Sequence, residues 1–289
     1  MRRSDLAGLL RIKQWSKNLL VFAPMIFAAS FTAASLERTA AAFAAMCLVS
    51  SSVYIFNDTA DCEEDKTNPL KKHRPVASGA VAKTTALGLA LVLCLAGMAV
   101  GCLLGRGPAT VLLTYLALNF CYTLKLKQLA IIDAMCIAAG FVLRLLLCGS
   151  AIGVPITAWL CVIVFFLSLF MAFGKRKCEL RLSQKHDIKR QVLSCYNLPQ
   201  LERLMTSAGS ITLAAYMLFT LDGSVIDKFG APHLYFTIPI VAYGIYRYAS
   251  VTDAGEDGDP SALIFREASL KAAFILWLAV CLSIIFLHL

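Results

Sequence analysis

Apolar blocks of about 17 to 25 residues recur along the whole 289-residue chain, and nothing else in it constrains the fold so tightly. Blocks of that length match the hydrocarbon core of a bilayer, whereas soluble helices carry narrower apolar stripes. Charged residues make up 16% of the chain, against about 25% in ordinary soluble domains. In lipid every backbone polar group must be satisfied within its own element, which favours helices. The expected fold class is therefore all-α, a polytopic membrane protein. Its nine expected transmembrane helices cover residues 18–35, 38–57, 84–105, 108–124, 130–151, 155–174, 203–221, 232–251 and 270–288. The first block lacks a signal-peptidase site and is read as a retained helix.

The distribution of charge sets the expected orientation. The net charge of +9 could suggest a nucleic-acid partner, but the basic residues cluster by loop. Nine spans place 23 of the 27 Lys and Arg residues on the side of the N-terminus, three (Arg38, Arg106 and Lys228) on the other, and Arg144 inside a span. By the positive-inside rule the first side is cytosolic, in a cell inner (cytoplasmic) membrane. No nucleic acid is expected, only membrane lipids. A single domain over 1–289 follows, with cytosolic motif loops at about 58–83 and 175–202. Small residues on several helices leave room for close packing or a homo-oligomer. The eleven cysteines lie mostly in apolar stretches and form no Cys-x-x-Cys pair, so they read as small hydrophobes.

One polar run stands out. Asn57, Asp58, Asp61, Glu64 and Asp65 end the second apolar block, and at about 100° per residue they share an arc of about 120°. Side-chain oxygens crowded on one face call for cations between them. Hard oxygens at a membrane edge suit Mg²⁺ shared with a phosphate-bearing substrate. Lys71, Lys72, His73 and Arg74 follow closely, and Arg74, set between His73 and Pro75, is the best phosphate candidate among them. In the fifth span Asp133 and Arg144 lie about 20° apart on the helical wheel but about 16 Å apart in rise. Ionisable groups inside a span usually face a cavity or a partner.

The pattern Asn57, Asp58, Asp61, Asp65, then His73, Arg74, Pro75, Ser78, Gly79 resembles the first acidic motif of the UbiA superfamily of intramembrane prenyltransferases. The resemblance implies nine helices around a central cavity whose mouth binds Mg²⁺ and a diphosphate. Prenyl-diphosphate users of that superfamily carry a second acidic motif between the sixth and seventh helices. This chain instead has Gly174, Lys175, Arg176, Lys177, Cys178 and Glu179, followed by Arg181, Lys185, Lys189 and Arg190. That departure, with Arg11, Lys13, Gln14, Trp15, Lys17 and Asn18, with Tyr122, Lys127 and Asp133, and with Gly140 to Arg144, is similar to the decaprenyl-phosphate phosphoribosyltransferase branch. The stretch Asp253 to Pro260, leading to Arg266 and Glu267, resembles that branch more loosely.

The resemblance implies a Mg-dependent phosphoribosyltransferase, with Mn²⁺ as the alternative ion. Its substrates would be 5-phosphoribosyl 1-diphosphate (PRPP) and a polyprenyl phosphate, and its product a precursor of cell-envelope arabinose or ribose glycans. Asn57, Asp61 and Asp65 would hold the metal, with Asp58 and Glu64 near it. Asp58, Asp61 and Asp133 are the expected catalytic residues. Lys17, Arg74, Tyr122, Lys127, Arg144, Lys175, Arg176, Lys177 and Glu179 are the expected substrate contacts, with Lys175, Arg176 and Lys177 assigned to the 5-phosphate. Two alternatives stay open: transfer of an isoprenoid from its diphosphate to an aromatic acceptor, and transport of an anion or lipid phosphate. The basic stretch argues against the first, and the scarcity of polar groups deep in the spans against the second.

Overall fold

The computed structural model describes residues 3–28, 30–69, 71–186, 191–229, 233–254, 263 and 266–287. In chain order its α-helices are α1 (Arg3–Leu10), α2 (Ala23–Phe27), α3 (Ala33–Ala60), α4 (Cys62–Thr67), α5 (Lys83–Leu104), α6 (Arg106–Leu124) and α7 (Ile132–Ile152). They continue with α8 (Ala158–His186), α9 (Leu198–Leu221), α10 (Gly223–Phe229), α11 (Ile238–Asp253) and α12 (Ala268–Leu287). The all-α expectation holds. Among the described residues, seven helices are long and apolar enough to cross a membrane.

Among the described residues two of the nine expected spans do not form one long helix, for two local reasons. Residues 18–35 do not form one helix: a 3₁₀ helix over Ile12–Phe22 gives way to the five-residue α2, with Pro24 in its first turn. Proline has no N–H for the preceding turn, which prevents a continuous α-helix there. Residues 232–251 yield only the 16-residue α11, preceded by a 3₁₀ turn at Leu234–Thr237 and with a proline in its first turn. A second difference concerns the expected loop at 175–202. Its first part continues α8 as far as His186, because Lys, Arg, Glu and Leu are good helix formers and no Gly or Pro interrupts them.

The chain gathers into two compact units, one of residues 1–127 and 143–155, the other of residues 128–142 and 156–289. In the first, α3 is capped by Thr32, whose hydroxyl accepts the Ser35 N–H at 3.1 Å. Small residues then let α3 and α5 approach closely. A Cβ on Gly97 would lie 2.7 Å from a Val49 methyl and 3.0 Å from the Ala45 carbonyl oxygen. Ala42, Met46, Val49, Leu112, Tyr115 and Leu147 fill the core around this contact. Arg38 donates to the last carbonyl of α5, Leu104, at 2.6 Å and to Ala151 near the end of α7, satisfying two helix C-termini.

In the second unit Asn197 caps α9 by accepting the Gln200 N–H at 2.8 Å. Phe170, Phe173, Leu201, Met205, Ile245 and Tyr248 form its core with Ala134 and Ala138 of α7. Gly174 gives room to Tyr248, whose ring would stand 3.0 Å from any Cβ placed there. On the outer faces of α5 and α12, Leu91, Val92, Leu95, Leu103, Phe274 and Ile275 are exposed. Such faces are uncomfortable in water and at home in lipid.

Candidate functional site

The acidic run straddles a helix joint in the first unit. Asp61 ends α3 and precedes α4 at φ −87°, ψ 6°, while the backbone bonds Asp61 N–H to Asn57 O (2.9 Å) and Asp65 N–H to Asp61 O (2.8 Å) carry the spiral across it. Glu63, Glu64 and Asp65 therefore occupy the first turn of α4, where the helix dipole favours negative charge. Asp58 and Asp65 are almost wholly buried, at 2% and 1% exposure. Glu64, expected beside the metal, is exposed.

Each buried carboxylate meets cations drawn from elsewhere in the sequence. Arg11 forks onto Asp58, its Nε bonding Oδ2 at 3.1 Å and its Nη2 bonding Oδ1, and its guanidinium lies 5.1 Å from the Tyr54 ring centroid. Arg74 bridges Asp58 Oδ1 at 2.9 Å and Asp65 Oδ2 at 2.6 Å. Lys127 pairs with Asp61 Oδ1. Asn57 donates to Asp61 Oδ2 at 3.1 Å and accepts from Thr123 Oγ1 at 3.3 Å. Asp65 Oδ1 has no hydrogen-bond donor, with only the Lys71 ammonium 3.6 Å away. The arrangement thus brings together five of the predicted site residues: Asn57, Asp58, Asp61, Asp65 and Arg74, with Lys127 as a sixth.

The donor set suits Mg²⁺. Asn57, Asp61 and Asp65 offer hard oxygens at helical spacing, and the buried Asp65 Oδ1 accepts no hydrogen bond among the described residues. Among the described residues no three His, Cys, Asp or Glu side chains stand close enough to cage an ion.

Outside the carboxylates, the segment that carries Arg11 is stitched to α3. Trp15 Nε1 donates to Ser51 Oγ at 3.0 Å, Ser51 Oγ donates to Leu10 O at 2.8 Å, and Asn18 Nδ2 donates to Ser50 Oγ at 3.1 Å. Arg144 is buried here, donating to Asn18 Oδ1 at 2.9 Å and to the Tyr115 hydroxyl at 3.1 Å. Its guanidinium thus props the N-terminal segment from inside the unit, which differs from the expected substrate contact. Lys17 and Tyr122 are half-buried.

In the second unit Asp133, Arg176 and Tyr196 form a buried network. Arg176 Nε donates to Asp133 Oδ2 at 2.7 Å and its Nη1 to Glu179 Oε2 at 2.6 Å, one helical turn on. The Tyr196 hydroxyl donates to Asp133 Oδ1 at 3.0 Å and receives the Ile131 N–H. Ile131 holds a left-handed backbone at φ +69°, a strained state for a β-branched residue. Burial and the Asp133 carboxylate push the Tyr196 phenol up to about 12, against the pull of the Ile131 bond, so it stays protonated and donates. Lys177 pairs with Asp253 and, at 2.9 Å, with Glu202. Arg181 donates to the carbonyls of Thr252 (3.0 Å) and Asp253 (2.8 Å) at the end of α11.

These pairings give the expected site residues of this stretch partners within the unit. Arg176 and Lys177, expected as phosphate ligands, are buried and neutralised by carboxylates, because fixing charges this deep requires partners. Asp133, expected to act in catalysis, is wholly buried as a counter-ion of Arg176. Glu179 is engaged by the same guanidinium, and Lys175 is half-buried. Residues 255–260 of the acidic stretch after Asp253 lie outside the described residues. Arg11 belongs to the N-terminal motif without an expected role, and its distance along the chain from Asp58 gives no hint of the pairing. Tyr196, Glu202 and Thr123 carried no signal.

A sequence model of the UbiA prenyltransferase family matches residues 18–274. The decaprenyl-phosphate phosphoribosyltransferase of Mycolicibacterium smegmatis is 31% identical over 95% of this chain and 90% of its own length. The protein of that name from Corynebacterium glutamicum is also 31% identical, over 93% of this chain and 82% of its own. Among solved structures, a UbiA homolog from Archaeoglobus fulgidus bound to GPP and Mg²⁺ superposes with a TM-score of 0.74, covering 98% of this chain and 99% of its own at 15% identity. At that identity the likeness shows the fold alone.

Proposed function

The chain belongs to the UbiA prenyltransferase family, and we propose that this multi-pass membrane transferase moves 5-phosphoribose from PRPP to a polyprenyl phosphate of decaprenyl type. The observation that carries the proposal is the interleaving of three carboxylates with four cations in the first unit: Asp58, Asp61 and Asp65 with Arg11, Lys71, Arg74 and Lys127. Carboxylates alone hold a metal, and cations alone hold a phosphate. Both together suit a metal–diphosphate. Lys175 to Lys177 stand where prenyl-diphosphate users of the family carry a second acidic motif, which argues against a second metal–diphosphate clamp of that kind. The 31% identity to two phosphoribosyltransferases supports the same choice.

In this reading an oxygen of the lipid phosphate attacks C1 of the ribose. The C1–oxygen bond to the diphosphate breaks, and the diphosphate leaves with the bonding electron pair. A phosphate anion is already nucleophilic, so no protein base is needed at that step. Mg²⁺, when bound by Asn57, Asp61 and Asp65, would neutralise charge on the departing diphosphate. Arg74 and Lys127 stand where they can hold phosphate oxygens in line, and alignment supplies much of the acceleration. Lys17, half-buried in the same unit, is a candidate for the lipid phosphate. The 5-phosphate is a separate dianion that needs a basic group of its own. The product would serve as a precursor of cell-envelope arabinose or ribose, made at an inner-membrane site that faces the cytosol.

The test uses purified protein in lipid with Mg²⁺, polyprenyl phosphate and PRPP labelled in the ribose. Label should pass into the organic phase. Failure of that transfer, together with transfer from a prenyl diphosphate to an aromatic acid, overturns the proposal in favour of an ordinary prenyltransferase.

A further inference from the structure

The N-terminal segment of the first unit is held in an unusual state. Ile12–Phe22 is a 3₁₀ helix of 11 residues, whereas such helices rarely exceed 3–4 residues. At about 2.0 Å of rise per residue against about 1.5 Å in an α-helix, it is stretched by roughly 5 Å over its length. Arg11 precedes it at φ +49°, one of two non-glycine residues with positive φ among those described. A long side chain gains nothing from that conformation, so something must hold it.

The holding contacts are on both sides. Leu9 is buried against Ile55, Val76 and Val81, and a Cβ on Gly8 would lie 3.3 Å from the Pro75 ring, so α1 is seated on the turn that carries Arg74. Asn18 and Val21 are buried at the other end. Between these anchors Ile12 to Lys17 are exposed or half-buried. The stretch is fixed chiefly by the Arg11–Asp58 fork and by the Ser51 hydroxyl, which takes the Trp15 N–H and gives its own proton to Leu10 O.

Asp58 has two guanidinium partners, and they differ in freedom. Arg74 bridges two carboxylates and sits in a turn closed by backbone bonds from Arg74 N–H to Lys71 O, Ser78 N–H to Arg74 O and Val81 N–H to Pro75 O. Arg11 pairs with Asp58 and rides on the stretched segment. A metal–diphosphate entering the acid site brings phosphate oxygens that compete for guanidinium and cationic charge that competes for Asp58. Among the cations placed to change partner, Arg11 is the one whose release would act on the N-terminal segment.

We propose that Arg11 exchanges Asp58 for a diphosphate oxygen when the acid site fills, and that the stretch Ile12 to Lys17 recoils towards its buried anchor at Asn18 as the exchange frees it. Occupancy of the site is thereby coupled to the position of the N-terminal segment. This rests on the reading of the acid site as a metal–diphosphate site.

Trp15 lies inside the segment and reports on it directly. In a Trp159→Phe, Trp277→Phe background, Trp15 is the sole tryptophan. Adding Mg²⁺ with pyrophosphate is expected to shift its emission as the Ser51 hydrogen bond is lost. In Arg11→Met the emission should already be shifted and should respond no further. The same samples are examined by equilibrium dialysis with ³²P-pyrophosphate. Saturable binding with an unchanged Trp15 signal overturns the switch while leaving the diphosphate reading intact. Absence of Mg²⁺-dependent binding overturns the diphosphate reading and the switch with it. If the two phenylalanine substitutions lower the yield, 5-fluorotryptophan in the unaltered sequence gives the same test by ¹⁹F resonance, the Trp15 signal being assigned by its loss in Trp15→Phe.

Discussion

The two ion-paired clusters are built from the same residue types and do different work. In the first unit the acids come from one short run, Asp58 to Asp65, and the cations arrive from Arg11, Lys71, Arg74 and Lys127. In the second the cations are the neighbouring Arg176 and Lys177 of α8, and the acids arrive from α7, α8, α9 and Asp253 of α11. The cations of the first cluster remain 18–29% exposed at the side chain, while Arg176 and Lys177 are at 3% and 4%. A cation that water reaches can leave its carboxylate when an incoming cation takes its place, whereas one buried with its carboxylate has no such route and its separation strands an uncompensated charge. The first arrangement is therefore suited to exchanging ligands, and the second to holding α7, α8, α9 and α11 in place.

Substitutions can break that contrast. Asp61→Asn removes a proposed metal ligand from a partly exposed pair, and turnover should fall by about 10³-fold, the order expected when charge stabilisation at a leaving group is lost. Its thermal midpoint should move little, and steady-state rates beside a melting curve in detergent separate the two effects. Asp133→Ala should behave in the opposite way. It leaves Arg176 buried without its main carboxylate, which costs about 3–5 kcal/mol, visible as a clear fall in midpoint. Replacing the pair together, Asp133→Leu with Arg176→Met, should recover part of that loss. No recovery would mean that the pair is more than a clasp.

Smaller changes sharpen the comparison. Tyr196→Phe deletes the hydroxyl between Ile131 N–H and Asp133 and should cost about 1–3 kcal/mol by the same melting measurement. The least effect is expected at Glu63. Bonds from Lys66 and Lys83 hold its carboxyl down at about 2 from an ordinary 4.5, yet it is fully exposed. A carboxyl lowered in this way adds its stability above the ordinary value and loses it only as the pH falls towards 2. Glu63→Gln should therefore leave the midpoint nearly unchanged, and equally so at every pH between 5 and 8. A difference that grew across that range would point to a second titrating partner.

How much of this was legible in the sequence follows from what each feature depends on. The acid run could be read because its residues are contiguous and a helix places them on one face whatever else the chain does. The membrane class could be read because apolar length is a property of the segment itself. Helix continuity was less legible, since composition does not register that Pro24 ends one helical turn and starts another. The partners of the carboxylates were the hardest. Arg11 lies 47 residues from Asp58, and Arg176 lies 43 from Asp133, distances closed only by the packing of helices. A basic run at the end of an apolar span looks the same on paper whether it meets water or carboxylates, so the burial of Arg176 and Lys177 had no signature. Tyr196 was invisible for a similar reason: its role depends on a strained Ile131 turn that no local pattern announces.

The most direct test follows both halves of the donor at once. PRPP carrying ¹⁴C in the ribose and ³²P in the 1-diphosphate is incubated with the protein, Mg²⁺ and polyprenyl phosphate, and the phases are separated. The account predicts ¹⁴C in the lipid phase and an equal molar amount of ³²P-diphosphate released to water, both lost in Asp61→Asn. Retention of ³²P in the lipid, or undiminished transfer by Asp61→Asn, would contradict it.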